Sequence, residues 1–304
     1  MRVFVAGATG VVGRRAVPML LERGHAVTGV ARSPEKRAAL ERAGAAAVKL
    51  DLFDPGAVAR AVAGHEVVIN LATHIPPGMR VFLRRAWREN DRIRRQCAAN
   101  LARAAAAAGA RRFIQESFAP VYPDRGADWI DETVSISPVR YNRSVTDAEG
   151  AAEQFTRGGG QGVVLRFGWF YGPDSPQVAD MIRYVRKGWA PLPGPAEAYW
   201  SSLSHDDAAA AVVAALGVPA GVYNAVDDEP LSRREYFDSL AAALGVEPPR
   251  LPPGWAKYLM GSLGSLMARS LRISNRKLRS ASAWSPKYRS AREAWPDLLK
   301  AIGA

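Results

Sequence analysis

The chain has a single cysteine, Cys97, among 304 residues, and its four histidines are scattered along the sequence. One cysteine cannot form an internal disulfide framework, and a low cysteine content fits a reducing compartment. Scattered histidines offer no ligand cluster of the kind that holds zinc. We therefore expect a cytoplasmic protein without a metal site.

Long hydrophobic runs are also missing. The most apolar stretch of the C-terminal third covers residues 258–268, between Lys257 and Arg269, whereas a membrane-spanning helix needs about 20 apolar residues. The N-terminal run 2–6 leads directly into glycines and is typical of a buried strand, not of a signal peptide. We expect no membrane association, and we interpret 258–268 as a helix of a small lobe, with an interfacial or dimer helix as the alternative.

Acidic residues are in deficit, with 29 against 41 basic residues and a net charge of +12. Such a charge favours anionic partners, and Arg84, Arg88, Arg92 and Arg95 fall on one helical stripe. However, the sequence contains no recognisable nucleic-acid module, and its arginines are spread over the whole length. We expect a solvated basic face and no nucleic-acid partner, with attraction for an anionic ligand as the alternative.

The first half of the chain alternates short apolar segments with helical ones. The apolar segments predict strands, and the helical segments between them end at glycines such as Gly24 and Gly109. This β-α-β-α order specifies an α/β fold, a Rossmann-type doubly wound parallel sheet with helices on both faces. The predicted strands are 2–6, 26–31, 46–50, 67–71 and 112–115, and a long helix is predicted over roughly 80–108.

Beyond Gly172 the pattern loosens into sequence rich in proline, glycine and tryptophan. Residues 1–172 therefore predict a dinucleotide-binding Rossmann domain, to which a helix and a strand from about 206–228 contribute. Residues 173–304 predict mainly a smaller substrate-binding lobe over the carboxyl edge of the sheet, where ligands of such folds bind. Within this lobe, Ser232 and Glu235 predict a capping box at the start of a helix.

The glycine-rich turn after the first strand predicts the cofactor site. Gly7 allows a tight turn, Gly10 lets the backbone approach a pyrophosphate, and Gly13 lets helix and strand pack closely. The helix that follows would offer free N–H groups and its positive dipole end to the phosphates. We expect the whole motif to contact a dinucleotide: Gly7, Ala8, Thr9, Gly10, Val11, Val12 and Gly13.

The end of the second strand predicts which dinucleotide binds. A carboxylate at this place would hold the ribose 2′-hydroxyl, but the chain has Arg32 here and no acidic residue until Glu35. A guanidinium is well shaped to bind a 2′-phosphate and to stack on adenine. The sequence therefore favours NADP(H) over NAD(H), and the alternative is an ordinary surface arginine.

These motifs resemble those of the extended short-chain dehydrogenase/reductase family, the NAD-dependent epimerase/dehydratase group, over nearly the whole chain. The resemblance rests on the glycine motif, on residues 165–173 as the sixth-strand pattern, on HDDAAAAVVAAL and on GVYNAVDDEPLS. It implies that Asn90 is a structural asparagine. It further implies cofactor contacts from Asp51, Leu52, Leu71, Ala72, Thr73, Tyr141 and Phe167.

The resemblance also predicts a catalytic set that this chain has only in part. Family members carry a tyrosine, a lysine four residues later, and a serine or threonine after the fifth strand. Here Tyr141 is in place, but Val145 stands at the lysine position and Phe118 at the serine or threonine position. Ser117 lies one residue earlier, where it is either catalytic or a satisfied loop hydroxyl. Without a neighbouring cation a tyrosine is a poor base at pH 7, although it can still donate a proton.

Aromatic residues replace polar ones at the expected substrate site. Trp169 and Trp200 stand where nucleotide-sugar enzymes carry an asparagine and, nearby, an arginine, so a nucleotide-sugar substrate is not expected. With Phe118 they predict an apolar pocket, to which Trp129 could contribute, and their alternative role is core packing. His74 follows the fourth strand as a candidate proton donor, whereas His205 is expected to cap a helix.

The sequence thus predicts an NADP(H)-dependent oxidoreductase that reduces a carbonyl of an apolar or aromatic small molecule. A second hypothesis is a non-redox lyase, cyclase or isomerase on the same fold, and a third is a catalytically silent protein that senses NADP(H). A fold that is reused so widely does not choose among them. The family's habit also predicts a possible homodimer.

Overall fold

The computed structural model describes residues 1–76, 80–81, 83–191 and 193–303, and its centre is a seven-stranded parallel sheet. The strand order, β11-β7-β5-β4-β1-β2-β3, confirms the predicted doubly wound α/β fold. Six very short strands pair two by two outside this sheet. The strands are β1 (Arg2–Ala6), β2 (Ala26–Val30), β3 (Ala46–Val48), β4 (Val67–Asn70), β5 (Arg112–Phe118), β6 (Trp129–Ile130), β7 (Gln161–Phe167), β8 (Trp169–Tyr171), β9 (Tyr199–Trp200), β10 (Ser202–Ser204), β11 (Gly221–Ala225), β12 (Leu231–Ser232) and β13 (Arg272–Ile273).

Helices cover both faces of the sheet and build the C-terminal lobe. They are α1 (Gly13–Glu22), α2 (Pro34–Arg42), α3 (Pro55–Val62), α4 (Arg88–Arg92), α5 (Ala98–Ala107), α6 (Val145–Arg157), α7 (Pro176–Arg186), α8 (His205–Ala214), α9 (Arg233–Leu244), α10 (Gly261–Met267), α11 (Arg276–Ala281) and α12 (Ala291–Ile302). One apolar core lies between the sheet and α1 and α8, and a second lies between the sheet and α3, α5 and α6. Because the inner strands β1, β4, β5 and β7 are buried on both sides, they are rich in Val, Ile and Phe.

The long helical region predicted over 80–108 is present over residues 84–107, but it is not a regular α-helix throughout. Among the described residues the segment consists of a 3₁₀ turn at Arg84–Trp87, then α4, a π-helical turn at Ile93–Cys97, and α5. A π turn inserts one extra residue into the helix and is often found at functional sites. It turns Arg94 into the protein, whereas Arg84, Arg92 and Arg95 pair with carboxylates on the surface.

The C-terminal lobe has its own core, formed by α7, α9 and α12 around the fully buried Trp295. The predicted capping box at Ser232 and Glu235 is confirmed at the start of α9. Residues 258–268 form the end of a 3₁₀ segment, Gly254–Met260, followed by α10. Among the residues that the structure describes, no helix is long and apolar enough to cross a bilayer.

The turn between β1 and α1 depends on two glycines. Gly7 has a positive φ of 80°, and an added Cβ would come within 2.5 Å of the Leu71 carbonyl carbon. A Cβ on Gly13 would lie 2.1 Å from the Gly7 carbonyl oxygen and 2.8 Å from Ala8 Cα. Backbone atoms have little room to yield, so both positions require glycine.

We predict that Gly13→Ala lowers the free energy of unfolding by about 2 to 4 kcal/mol, since the methyl group would force α1 away from β1. Urea denaturation measures this loss. Gly150→Ala is the matched control, because Gly150 lies within α6 with open space around it and alanine there should stabilise by about 0.5 to 1 kcal/mol. Equal effects of the two substitutions would contradict the close packing of the turn.

Candidate functional site

A cavity of about 580 Å³ lies at the carboxyl edge of the sheet, beside the ends of β1, β2 and β3 and the loop after β4. It is bounded by segments that are far apart in the sequence but meet at this edge because the strands are parallel. Nine of the residues predicted to contact a dinucleotide line it. They are Gly7, Thr9, Gly10, Arg32, Asp51, Leu52, Leu71, Ala72 and Thr73.

The other predicted cofactor residues do not line this cavity. Ala8, Val12 and Gly13 are buried within the turn and the start of α1, and Val11 is exposed beside them. Phe167 belongs to the core under the sheet. Tyr141, discussed below, belongs to a separate apolar cluster.

Eight lining residues were not predicted: Val30, Lys36, Lys49, Leu50, Phe53, Glu89, Ile93 and Cys97. Lys36 lies one helical turn after Arg32, and this spacing could have indicated a shared face. Lys49 follows β3, which pairs with β2 in parallel and so reaches the same edge. Ile93 and Cys97 belong to the π turn, which the sequence pattern did not reveal.

Cys97 is fully buried in the wall of this cavity. Burial, with a smaller effect of Asp51, raises the pKa of its thiol to about 12. Since the thiolate is the nucleophilic form, a thiol with this pKa is inert at neutral pH. Cys97 therefore contributes to the shape of the cavity rather than to covalent chemistry.

The glycine turn fits the pyrophosphate of a dinucleotide. α1 begins at Gly13 with no side-chain cap at Val12, so no side chain competes with an anion for its positive dipole end. The N–H groups of Arg14 and Arg15 donate to the carbonyl oxygens of Gly10 and Val12, which leaves the N–H groups of residues 11–13 without a described partner. A Cβ on Gly10 would meet protein only at the Gly7 carbonyl oxygen, 3.3 Å away, and Gly10 itself lines the cavity. A phosphate could therefore approach the Gly10 backbone closely.

Tyr141 lies in an apolar cluster with Trp87, Leu263 and Leu266. Its hydroxyl donates a hydrogen bond of 2.7 Å to the Val81 carbonyl oxygen, and its ring is 4.6 Å from that of Trp87. Burial raises the pKa of Tyr141 well above its ordinary value. At the position of the family's lysine, Val145 is fully buried, so no cation stands there to lower that pKa.

Ser117 is buried and used by a polar network inside the protein. Its hydroxyl donates a 2.5 Å hydrogen bond to Glu149, which also forms an ion pair of 2.7 Å with Arg166. Arg166 in turn donates to the Tyr122 hydroxyl, and this hydroxyl donates to Asn224. The network joins β5, α6, β7 and β11, so Ser117 has the contacts of a structural hydroxyl.

A second buried polar cluster lies where the π turn meets the end of β5. Arg94 pairs with Glu116 at 3.3 Å, and Asn90 accepts a hydrogen bond from the backbone N–H of His74. Three polar atoms of this cluster are buried without a hydrogen-bond partner: Asn90 Nδ2, Arg94 Nε and Glu116 Oε2. The His74 side chain itself is exposed. Thus no described hydrogen bond joins any two of Tyr141, Ser117 and His74.

The aromatic residues predicted to bind substrate do come together. The ring of Phe118 meets that of Trp169 edge to face, with centroids 4.9 Å apart, and Trp169 stacks on Trp200 at 4.6 Å and 15°. Phe118 and Trp169 remain partly accessible, whereas Trp200 is buried behind them. Trp129 lies elsewhere, 42% exposed under the guanidinium of Arg272.

His205 is the first residue of α8, but the side chain that caps this helix is that of Ser204, so the expectation that His205 caps it was wrong. Its Nδ1 lies 2.9 Å from Asp174, whose carboxylate is already neutralised by Arg14 and Arg15. Burial and the nearby Arg15 lower the pKa of His205 to about 4, so that the ring is neutral at pH 7. Among the described residues, no group of three His, Cys, Asp or Glu side chains could hold a metal ion.

A parallel Rossmann sheet with an uncapped helix N-terminus beside a long cavity defines a dinucleotide-binding protein. The sequence profile of the family described as NAD(P)H-binding matches residues 7–219. The chain belongs to this family, within the extended short-chain dehydrogenases/reductases of the NAD-dependent epimerase group. The family resemblance stated above is thereby confirmed.

Two curated relatives are reductases. The chain is 33% identical to a 3-diazoavenalumate denitrifying reductase of Streptomyces sp, over 96% of this chain and 98% of the relative. It is 28% identical to the dTDP-4-dehydrorhamnose reductase of Streptomyces griseus, over 83% and 79% of the two chains. Together with the family, these relatives support an NAD(P)-dependent oxidoreductase.

Solved structures agree with this fold. The UDP-glucose 4-epimerase of Thermus thermophilus in complex with NAD superposes with a TM-score of 0.80 at 24% identity, covering 100% of this chain and 99% of that one. A human epimerase family protein with NADPH gives a TM-score of 0.80 at 20% identity, covering 99% of each chain. Since one holds NAD and the other NADPH, they do not decide the preference of this chain.

We predict that Glu149→Leu lowers the free energy of unfolding by about 3 to 5 kcal/mol, because Arg166 would remain as a buried charge without its partner. The double variant Glu149→Leu/Arg166→Met should recover most of this loss, as urea denaturation of all three proteins would show.

The matched control is Asp147→Asn on the same helix, which breaks the exposed pair with Arg95 and should cost under about 1 kcal/mol. A loss at Glu149 no larger than that at Asp147 would contradict the role given to the network.

Proposed function

We propose that this protein is an NADP(H)-dependent reductase of small aromatic molecules, whose hydride acceptor is an aromatic diazonium group. The observation that carries this proposal is that the residues used for proton transfer in this family are either replaced or already hydrogen-bonded. Tyr141 is buried with its hydroxyl bound to the Val81 carbonyl, Val145 replaces the lysine, and Phe118 replaces the hydroxyl residue. Such a site suits an acceptor that takes up hydride without a proton.

The preference for NADP(H) is supported by three cations in the cavity wall. Arg32, Lys36 and Lys49 follow β2 and β3 and line the cavity together. Within the described part of the chain, none of the three forms an ion pair with a carboxylate. A 2′-phosphate on the adenosine ribose would supply the anion that all three can share, whereas a plain hydroxyl would leave them unused.

The remaining protein groups fit the rest of the cofactor. When bound, the reduced nicotinamide supplies a hydride. The amides of residues 7–13 would hold the pyrophosphate. Thr73 and Ile93 line the cavity close to where the nicotinamide half would extend, and behind them the buried pair of Arg94 and Glu116 supports the wall.

The proposed reaction balances without a protein acid or base. An aromatic diazonium cation accepts two electrons and one hydrogen as hydride, its carbon–nitrogen bond breaks, and N₂ leaves. A carbon–hydrogen bond replaces the lost bond, and NADPH becomes NADP⁺. The aromatic edge formed by Phe118 and Trp169 would hold the flat, cationic substrate through stacking and cation–π contact. The name of the relative at 33% identity, a diazo compound's denitrifying reductase, supports this chemistry.

Reduction of an aromatic ketone is the second candidate, because Tyr141 carries a hydroxyl that is protonated at neutral pH. A tyrosine that keeps its proton could deliver that proton to the developing alkoxide oxygen if it left the Val81 carbonyl. The two candidates differ in their need for Tyr141, and this difference can be tested.

We predict that NADPH binds at least about tenfold more tightly than NADH, and that Arg32→Ala weakens NADPH binding by about 10- to 100-fold through the loss of a charge-assisted contact. Isothermal titration with both cofactors measures this, and NADH affinity should change little. Arg37→Ala is the control, since Arg37 is exposed on α2 but does not line the cavity. Equal losses for NADPH and NADH would contradict the proposed 2′-phosphate site.

We predict that the protein consumes one NADPH and releases one N₂ per molecule of a stable arenediazonium salt, and that Tyr141→Phe retains this activity within about threefold, because no proton is required. Loss of dihydronicotinamide absorbance and headspace mass spectrometry follow the two products. Reactions without protein give the uncatalysed rate that must be subtracted.

Aromatic ketones serve as the opposing substrates. Turnover of a ketone that falls by about 100-fold or more in Tyr141→Phe would favour carbonyl reduction instead. Tight NADPH binding without turnover of either class would favour a sensing protein, and conversion by nucleotide-free protein would favour a lyase or isomerase.

A further inference from the structure

Arg233 is the most unusual charged residue of the C-terminal lobe. It is only 1% exposed, and its one side-chain hydrogen bond within the described residues is to the Met267 carbonyl oxygen. The Nε and Nη1 atoms are buried without a hydrogen-bond partner, and no described carboxylate lies within ion-pair distance. An uncompensated buried guanidinium is unfavourable, because desolvation is not offset by a counter-charge.

Other buried arginines of this protein have a counter-charge or several hydrogen-bond acceptors. Arg166 and Arg94 each pair with a glutamate, and Arg112 donates to three acceptors, the carbonyl oxygens of Ala215 and Val218 and the side chain of Gln161. Where a buried guanidinium has a structural role, the fold therefore supplies a carboxylate or several hydrogen-bond acceptors. Arg233 differs in lacking both a carboxylate and a full set of acceptors.

A second unpartnered donor lies directly beside Arg233. The guanidinium carbon of Arg233 is 4.9 Å from the centre of the Trp200 ring, and Trp200 Nε1 is also buried without a partner. The two residues thus present three unpartnered donor nitrogens and no acceptor. Gly194 packs against the guanidinium so closely that an added Cβ would lie 2.8 Å from Arg233 Nε.

These groups adjoin the three aromatic residues Phe118, Trp169 and Trp200, whose rings contact one another in a row. From Trp200 the stack leads through Trp169 to Phe118, and Phe118 packs on the cluster that contains Tyr141. Met267, whose carbonyl Arg233 binds, packs against both that cluster and the core of the lobe. Arg233 and Tyr141 therefore lie at opposite ends of one aromatic wall, with the cofactor's reactive end expected near Phe118.

We infer that Arg233, with Trp200 Nε1, binds a carboxylate on the substrate, so that the substrate is an elongated aromatic acid with its reacting group at the Phe118 end and its carboxylate at the lobe end. A carboxylate supplies the two oxygens and the negative charge that this donor set lacks, and a guanidinium binds it in a bidentate manner. The net charge of +12 would favour the approach of such an anion. This inference rests on the proposed function, because that function places the substrate beside Phe118 and Trp169.

The test measures binding rather than turnover. The NADP⁺-loaded protein is titrated with benzoate, phenylacetate and cinnamate, and with the methyl ester of each acid. Quenching of its tryptophan fluorescence reports binding. We expect at least one acid to bind about tenfold or more tightly than its ester, in line with a desolvated charge-assisted contact. Arg233→Met should abolish this preference while leaving ester affinity unchanged, and Arg233→Lys should retain part of it.

Two comparisons separate binding from structure. Arg234→Met removes the same charge from the next residue, which pairs with Asp238 on the surface, and should leave the preference for the acid intact. The urea midpoint of Arg233→Met should not fall below that of the wild type, because an unpaired buried charge is removed. Should that variant fail to fold, Trp200→Phe, which deletes only the indole N–H donor and part of the ring, should weaken acid binding more than ester binding.

The inference is overturned if the wild type binds every acid no better than its ester, or if folded Arg233→Met keeps the preference. A failure of this inference can be distinguished from a failure of the proposed function. A protein that prefers acids through Arg233 but releases no N₂ from diazonium salts would retain this site and lose the proposed reaction.

Discussion

The contact between Gly13 and the Gly7 carbonyl sets the geometry on which the rest of the site depends. It holds α1 against β1, an inner strand of the sheet, and the start of the helix has no side-chain cap. The neighbouring strands deliver residues 30–32, 48–53 and 71–73 to the same edge. Because backbone atoms make this contact, it tolerates wide sequence change elsewhere while the binding cavity keeps its form.

The polar residues near the end of β5 serve the interior of the protein rather than proton transfer. Glu149 binds both Ser117 and Arg166, and through Tyr122 and Asn224 the network reaches β11 and the backbone of Ser274 in the lobe. Fully satisfied networks of this kind are rigid. Phe118 and Val145 can therefore be apolar without loosening the junction of β5 and α6.

The sequence predicted the fold and most of the cavity because their signals are local: alternating apolar segments, glycines at fixed spacing, and Arg32 at a strand end. The π turn within the long helical region was missed because it leaves no mark in the apolar pattern, and with it the inward position of Arg94 was missed. Lys49 was missed because only strand pairing brings it beside Arg32. Hydrogen bonds are equally non-local, so the partners of Ser117 and Tyr141 could not be read from spacing.

The arginines on the surface and those in the interior have different roles. Most of the excess arginine lies on the surface in weak pairs, which affects encounter with anions more than stability. Inside the protein, by contrast, Arg166 and Arg94 pair with glutamates and Arg112 donates to three acceptors, whereas Arg233 has only the Met267 carbonyl among the described residues. A site that combines unpaired donors at one end with a proton-poor apolar end suits a substrate whose anionic group anchors it and whose reacting group is already electron-deficient. Specificity and reactivity would then come from opposite ends of one molecule, with no acid or base required between them.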